Sequence, residues 1–355
     1  MKKKITLLFI SFFLLASCSS DEDSSATPVA PVTPLTIKAA LNGGGVDVSW
    51  SVVGGTGITY NVYRNDNPVK INATPLTEAK FKDVLTSTGS FTYTVTANSG
   101  GMESAKGVVS EKVILELPKT RTVESISNAY NTKTEYTFTY DTSNITKLVS
   151  ITIKSTMIKL SDQTVTEGIR TIMYTYNGDL ITKVNNYKAA TPSTEYVYNE
   201  GNKEIAMIST KSDGSIDYSV NFAHNEDGTI TETSDLSGWG TWVYAYEKGN
   251  TVKYTYSVLK YGSTNYVETC NSIFDTKNSY SKNILGFNNL ITEGGGVNNQ
   301  ISSSIIGTND GRVVTTRSYK SEYTYNENGY ILTKMKYIMT LSVPVLNEKT
   351  VITYY

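Results

Sequence analysis

The chain reads as all-β: a small N-terminal sandwich followed by a large Tyr-rich antiparallel β-meander, either an open curved sheet or barrel-like. Three features predict it. Sustained helical periodicity is absent, while period-two alternation recurs, as in Val46-Asp-Val48-Ser-Trp50. From about residue 136 one phrase returns with variations: aromatic, any residue, aromatic, Asp or Asn, a short turn, then aliphatic-Thr-Lys. Most of the 26 tyrosines lie in this part of the chain.

The N-terminus carries an export pattern. Lys2, Lys3 and Lys4 precede an apolar run from Ile5 to Leu15, too short for a membrane helix and laid out like a secretory signal. The run ends Leu15-Ala16-Ser17-Cys18, which resembles the lipobox of bacterial lipoproteins. That resemblance implies a signal peptide over 1–17 and a lipidated, palmitate-bearing Cys18 as the membrane anchor. The following Asp21-Glu22-Asp23 resembles the surface-export signal of Bacteroidota-type lipoproteins and implies the outer membrane, facing outward. Residues 18–34 then read as an acidic, Pro-rich tether, with Pro28, Pro31 and Pro34 favouring extended chain. Removing Lys2, Lys3 and Lys4 takes the 32 basic residues to 29 against 33 acidic ones, a formal charge of −4. Such a balance offers no electrostatic reason to bind nucleic acid.

Residues 35–117 form the first folded unit. Its strands are Val46 to Trp50, Ile58-Thr-Tyr60-Asn-Val62-Tyr63-Arg64 and Phe91-Thr-Tyr93-Thr-Val95-Thr-Ala97, separated by Gly-rich and Asn-Asp turns. They resemble strands B, C and F of fibronectin type III domains. The resemblance implies a spacer or binding module and gives Tyr93 the place of the tyrosine corner. Pro118 and the polar stretch Lys119 to Asn128 read as a boundary.

Residues 120–355 carry the repeats. Clear copies are Phe138-Thr-Tyr140-Asp141, Tyr174-Thr-Tyr176-Asn177-Gly178 and Tyr323-Thr-Tyr325-Asn326, with weaker ones from Tyr196, Phe222 and Tyr244. Alternation puts the two aromatics of a copy on one face, and the Asn or Gly after them supplies a hairpin turn. Because a lone hairpin cannot bury that face, several must pair side by side. Second aromatics fall at 140, 176, 198, 246 and 325, with His224 in the slot of one copy, so the hairpins are unequal. The pattern resembles YD-type repeats and, more closely, porin-like or open-sheet β domains of Bacteroidota lipoproteins. The stretch from Phe274 through Asn283, Phe287 and Asn299 resembles a loop recurrent in such domains, and Asn271 to Leu290 has room for one short helix. Those domains have no assigned function, so the resemblance bears on fold and location.

Catalytic chemistry finds little footing. His224 is the only histidine, and it sits where sister copies carry Tyr. With Cys18 lipidated, Cys270 is left alone, which excludes a disulfide and a thiolate metal cluster and reads as a small buried strand residue. A glycosidase would need two facing carboxylates, for which Glu226, Asp227, Glu232, Asp235, Glu247 and Glu268 are present without a naming context. No metal ligand set or cofactor motif stands out, and the glycine runs lack the helix and Lys of a phosphate loop.

Aromatics carry the functional hint. In Trp239-Gly-Thr-Trp242-Val-Tyr244-Ala-Tyr246, alternation places Trp242, Tyr244 and Tyr246 on one face, and Trp239 lies in the Gly-flanked turn before them. Such rings stack on sugars or anchor protein interfaces, although a structural ladder is the alternative role for the Tyr-x-Tyr positions. The sequence therefore points to a non-catalytic, membrane-anchored binding module whose partner is a glycan or an envelope protein. The alternatives are a structural envelope component and a carboxylate-dependent glycoside hydrolase.

Overall fold

The structure is a computed structural model that describes residues 32–186, 193–260, 264–291, 296–340 and 343–355. Cys18, the apolar run and most of the tether lie outside the described residues. Eight short strands come first: β1 (Ile37–Leu41), β2 (Val46–Trp50), β3 (Thr59–Arg64), β4 (Lys80–Asp83), β5 (Gly89–Phe91), β6 (Tyr93–Ser99), β7 (Met102–Glu103) and β8 (Val113–Leu115). They make one sheet in the order β1-β2-β4, a second in the order β3-β6-β7, and the pair β5-β8. Val46, Val48, Val62, Leu85, Val95 and Leu115 are fully buried or nearly so, and Trp50 meets Tyr60 edge-on at 5.3 Å. Tyr93 is wholly buried, and its hydroxyl donates to Asp83 Oδ2 at 2.8 Å. Asp83 also holds Arg64 at 2.9 Å, so Tyr93 ties strands through a side-chain carboxylate.

Sixteen strands follow. They are β9 (Pro118–Ile126), β10 (Tyr130–Tyr140), β11 (Leu148–Lys159), β12 (Val165–Asn177), β13 (Leu180–Asn186), β14 (Ser193–Tyr198), β15 (Glu204–Thr210) and β16 (Ile216–His224). Then come β17 (Ile230–Ser234), β18 (Thr241–Glu247), β19 (Asn250–Lys260), β20 (Thr264–Phe274), β21 (Gln300–Asn309), β22 (Arg312–Tyr325), β23 (Ile331–Thr340) and β24 (Val343–Tyr354). Each pairs with its sequence neighbour, and β24 pairs antiparallel with β9, so the meander closes into a barrel. Of the two arrangements the sequence allowed, the closed one holds. The polar stretch from Lys119, expected to be a boundary, is instead the closing strand. Its alternation puts Arg121 and Val123 inside and Thr120, Thr122 and Glu124 outside, which looks like linker composition when read without its partners.

The repeated phrase has a defined geometry. The ladder shifts register at the second aromatic of five copies: between Thr139 and Tyr140, Thr175 and Tyr176, Val197 and Tyr198, Ala245 and Tyr246, and Thr324 and Tyr325. A bulge at each tyrosine twists the strand and aims the ring inward at one end of the barrel. Inward rows are aromatic and aliphatic: Phe138, Tyr140, Ile151, Ile153, Tyr196, Val220 and Phe222 are buried. Outward rows are polar, such as Ser150, Thr152, Lys154 and Thr156 on β11, or Thr316, Ser318, Lys320, Glu322 and Thr324 on β22. This alternation is the reverse of a membrane-spanning barrel, whose outer band is apolar.

One barrel end is filled. Residues 275–291 and 296–299 between β20 and β21 fold inward, burying Ile284, Leu285, Phe287 and Leu290. Phe287 begins the one short helical turn among the described residues, Phe287–Asn289. Asp275 pins the segment: its carboxylate accepts the Asn299 and Lys277 backbone N–H groups at 3.0 Å each, plus the Tyr325 hydroxyl. The N-terminal strands sit over the same end. Lys82 pairs with Asp179 at 3.0 Å, the Ile145 N–H donates to the Leu85 carbonyl, and Asn326 and Asn328 donate to Glu116. At the other end Gly168 and Arg170 share the inward face of β12 yet are exposed, so among the described residues the lumen opens there to solvent. The molecule is a cup.

Candidate functional site

The inner wall over β16 to β20 concentrates the aromatic residues. Register sets one row across four adjacent strands: Glu232 pairs with Trp242, Trp242 with Tyr256, and Tyr256 with Glu268. The next row, toward the filled end, runs from Ile230 through Tyr244 and Tyr254 to Cys270. Trp242 is the hub. Its ring centroid lies 4.5 Å from Tyr256, 5.2 Å from Tyr254 and 6.2 Å from Tyr244, the last pair nearly parallel. Tyr266 extends the cluster beyond Tyr256 at 6.3 Å. Each such pair stabilises by about 0.5 to 1.5 kcal/mol beyond simple burial, so the wall is a rigid surface.

Two carboxylates bracket it. Glu232, 3% exposed, accepts Trp239 Nε1 at 3.0 Å on one oxygen and the Tyr244 hydroxyl at 2.6 Å on the other. Glu268 accepts the hydroxyls of Tyr254 at 3.2 Å and Tyr266 at 2.9 Å, and pairs with Arg317 at 3.3 Å. Burial, with Glu232 beside it, raises the Tyr244 hydroxyl pKa well above its ordinary value. Burial likewise raises Tyr254, with Cys270 and Glu268 adding to the effect. These hydroxyls therefore stay protonated and act as donors to the carboxylates.

Close approaches on this wall require glycine. At Gly240 φ is +82°, and a Cβ would lie 2.5 Å from a Tyr256 ring carbon and 2.6 Å from the Ser257 carbonyl. At Gly307 a Cβ would meet the Tyr266 hydroxyl at 2.6 Å. Both positions let backbone pass directly against the aromatic surface.

The four aromatic residues singled out in the sequence come together here. Trp242, Tyr244 and Tyr246 share the inward face of β18, and Trp239 folds back from the turn to stack on Tyr218 at 5.6 Å. Sequence reading missed Tyr218, Tyr254, Tyr256 and Tyr266, which join by cross-strand register. Tyr256 and Tyr266 stand in Tyr-x-Tyr and Asn-Tyr-Val contexts without the turn signal of the phrase. Cys270 is a buried strand residue at 4% exposure. His224 ends β16 with Nε2 2.7 Å from the Glu204 carbonyl, the place a sister tyrosine fills elsewhere.

The acid candidates separate into two groups. Asp227 caps its own turn, accepting the Thr229 N–H and hydroxyl, and Asp235 accepts the Ser219 N–H. Glu232 and Glu268 face the lumen three strands apart, and each accepts a tyrosine hydroxyl of the wall. Among the described residues no group of three or more His, Cys, Asp or Glu side chains is placed to hold a metal ion.

No family model and no curated protein matches the chain. Among solved structures it is similar to a porin-like protein from Bacteroides uniformis, at 10% identity and TM-score 0.40, covering 67% of this chain and 96% of that one. A porin-like protein from Bacteroides vulgatus is similar at 11% identity and TM-score 0.43, with 68% and 99% covered. Likeness at this level carries no functional argument.

Proposed function

We propose that the protein is a non-catalytic binding protein of the outer membrane, tethered through a lipidated Cys18, whose barrel is a cup that takes a glycan on the Trp242 wall. The observation that carries this reading is the rigid aromatic surface inside a lumen open at one end only. Tyrosine and tryptophan faces stack on the C–H faces of sugars, and the neighbouring hydroxyls and carboxylates offer hydrogen bonds to sugar hydroxyls. The polar outer face supports a barrel standing in water, held near the membrane by its anchor and not by its strands. The filled end argues against a conducting pore. On this view residues 35–117 are a fibronectin-like spacer between tether and cup, and the barrel is the second unit. A protein partner in the envelope is the second reading, favoured by outward-facing Val165, Ile169 and Met173, which are exposed in a row on β12.

The test is a glycan array with the chain from Ala26 onward, beside Trp242→Ala and Trp239→Ala variants checked by circular dichroism. Saturable binding to one glycan class, lost in a folded Trp242→Ala protein, is the expected result. Binding that survives both substitutions would remove the wall from the mechanism. An empty array would shift the reading to a protein partner, sought by cross-linking on intact cells.

A further inference from the structure

A second cavity lies deeper in the cup, between the inward-folded segment and the wall made by β9, β10 and β22 to β24. Its volume is about 380 Å3, within the range of small-molecule pockets of about 300 to 1,000 Å3. Its lining includes Arg121, Tyr136, Tyr280, Tyr323, Lys334 and Glu348.

Charge in this cavity does not balance. Glu348 is paired with Lys334 at 3.2 Å, which accounts for both. Arg121 faces the same space, and no carboxylate pairs with it among the described residues. Its guanidinium sits over the Tyr136 ring at 4.0 Å and near the Tyr280 ring at 5.1 Å. Nη1 donates to the Tyr280 hydroxyl at 2.7 Å, while Nε is buried and has no hydrogen-bond partner. Two rings can hold a guanidinium by cation–π attraction, but beyond the one Nη1 bond to Tyr280 they leave in-plane donors unused. A cation in a half-enclosed space with one ion pair already complete is costly without an anion. The planar fork fits a carboxylate through two parallel N–H bonds. Beside it, Ile352 is its cross-strand neighbour on β24, and with Ile331 it gives the cavity a buried apolar surface.

We infer that this cavity binds a small organic carboxylate, its acid group on Arg121 and its body against Ile331, Ile352 and Tyr323. The site uses no residue of the Trp242 wall and does not depend on that wall binding a glycan. It gives the floor of the cup a preference for acidic ligands that the wall alone lacks.

Titration calorimetry on the full chain, extracted in detergent, tests this with probes that differ in the acid group alone: glucuronate against glucose, with inorganic phosphate as a third arm. Glucuronate is expected to bind at least about tenfold tighter than either, the scale of a charge-assisted bidentate contact. Arg121→Gln should abolish that preference, and Arg121→Lys, which keeps the charge without the fork, should restore part of it. Any glucose held by the wall should still bind the folded Arg121→Gln protein, which separates this site from the wall. Absence of glucuronate binding to the wild-type chain overturns the proposal. So does equal affinity for glucose or phosphate, or full binding by a folded Arg121→Gln protein.

Discussion

The polar tip of an inward ring at the filled end repeatedly meets a backbone group of an adjacent segment. Tyr198 donates to the Ile181 carbonyl at 2.7 Å, Tyr354 to the Ile331 carbonyl at 2.9 Å, and Tyr140 to the Pro118 carbonyl at 3.0 Å. His224 makes the same kind of contact to Glu204, which explains a lone histidine in a tyrosine slot. His224→Tyr is therefore expected to keep stability within about 1 kcal/mol, whereas His224→Ala should lose about 1 to 3 kcal/mol by stranding the carbonyl. Urea denaturation of the two variants decides, and equal losses would refute the capping role. The slot was legible in the sequence because period-two alternation marks it. The bulge was not, because a register shift depends on the partner strand. The same buried hydroxyls predict alkaline lability. Burial pushes Tyr323 up to about 12 from an ordinary 10 and raises Tyr176, Tyr198 and Tyr354 as well. Raised folded-state values mean the unfolded chain loses its protons first, so this contribution is whole below about pH 10 and is lost as pH rises toward and through the folded values. Unfolding free energy measured against pH should fall steeply above about pH 10, and a flat profile would contradict the burial of these tyrosines.

At the scale of elements, the inward-folded segment between β20 and β21 turns a barrel into a cup. Its apolar residues Ile284, Leu285 and Phe287 replace a strand's alternation with a short cluster, and Phe287 packs on Tyr174 at 5.6 Å. Reading the sequence placed a loop and one short helix here. It could not place them inside the lumen, because that position depends on a closure made by strands far apart in the chain. Closure itself was hidden for a related reason: β9 carries Lys, Arg, Thr and Glu, and only its pairing with β24 shows which of these face inward. Asp275 gathers donors from both sides of the segment and from β22, so Asp275→Ala should release the segment while the strands persist. Hydrogen exchange is expected to speed up in peptides spanning 275–291, with β10 and β11 unchanged. Uniform acceleration across the barrel would mean that the segment is an integral part of the fold and not a separable insert.

For the whole molecule, the path of the chain sets an orientation. Residues 33–36 lie beside Ser51 and Ala105, at the pole of the N-terminal strands where β1 begins. From there β1 runs about 16 Å, five residues at roughly 3.3 Å each, to the turn at 42–45. At that turn Gly43 and Gly44 approach Asp179 and Leu285 on the filled end of the barrel. The described chain thus begins at one pole, the filled end comes next, and the open mouth is farthest from residue 32. A lipid at Cys18 would then present the mouth to the medium, where a soluble glycan or acid can enter without crossing the barrel wall. The turn at Asp213 lies at that mouth and is exposed, while Cys270 is buried, so Asp213→Cys supplies a single reactive thiol. A membrane-impermeant maleimide should label Asp213→Cys on intact cells and leave the parent chain unlabelled. Labelling that appears only after lysis would place the cup on the inner side of the membrane, where an open mouth would meet periplasmic ligands instead.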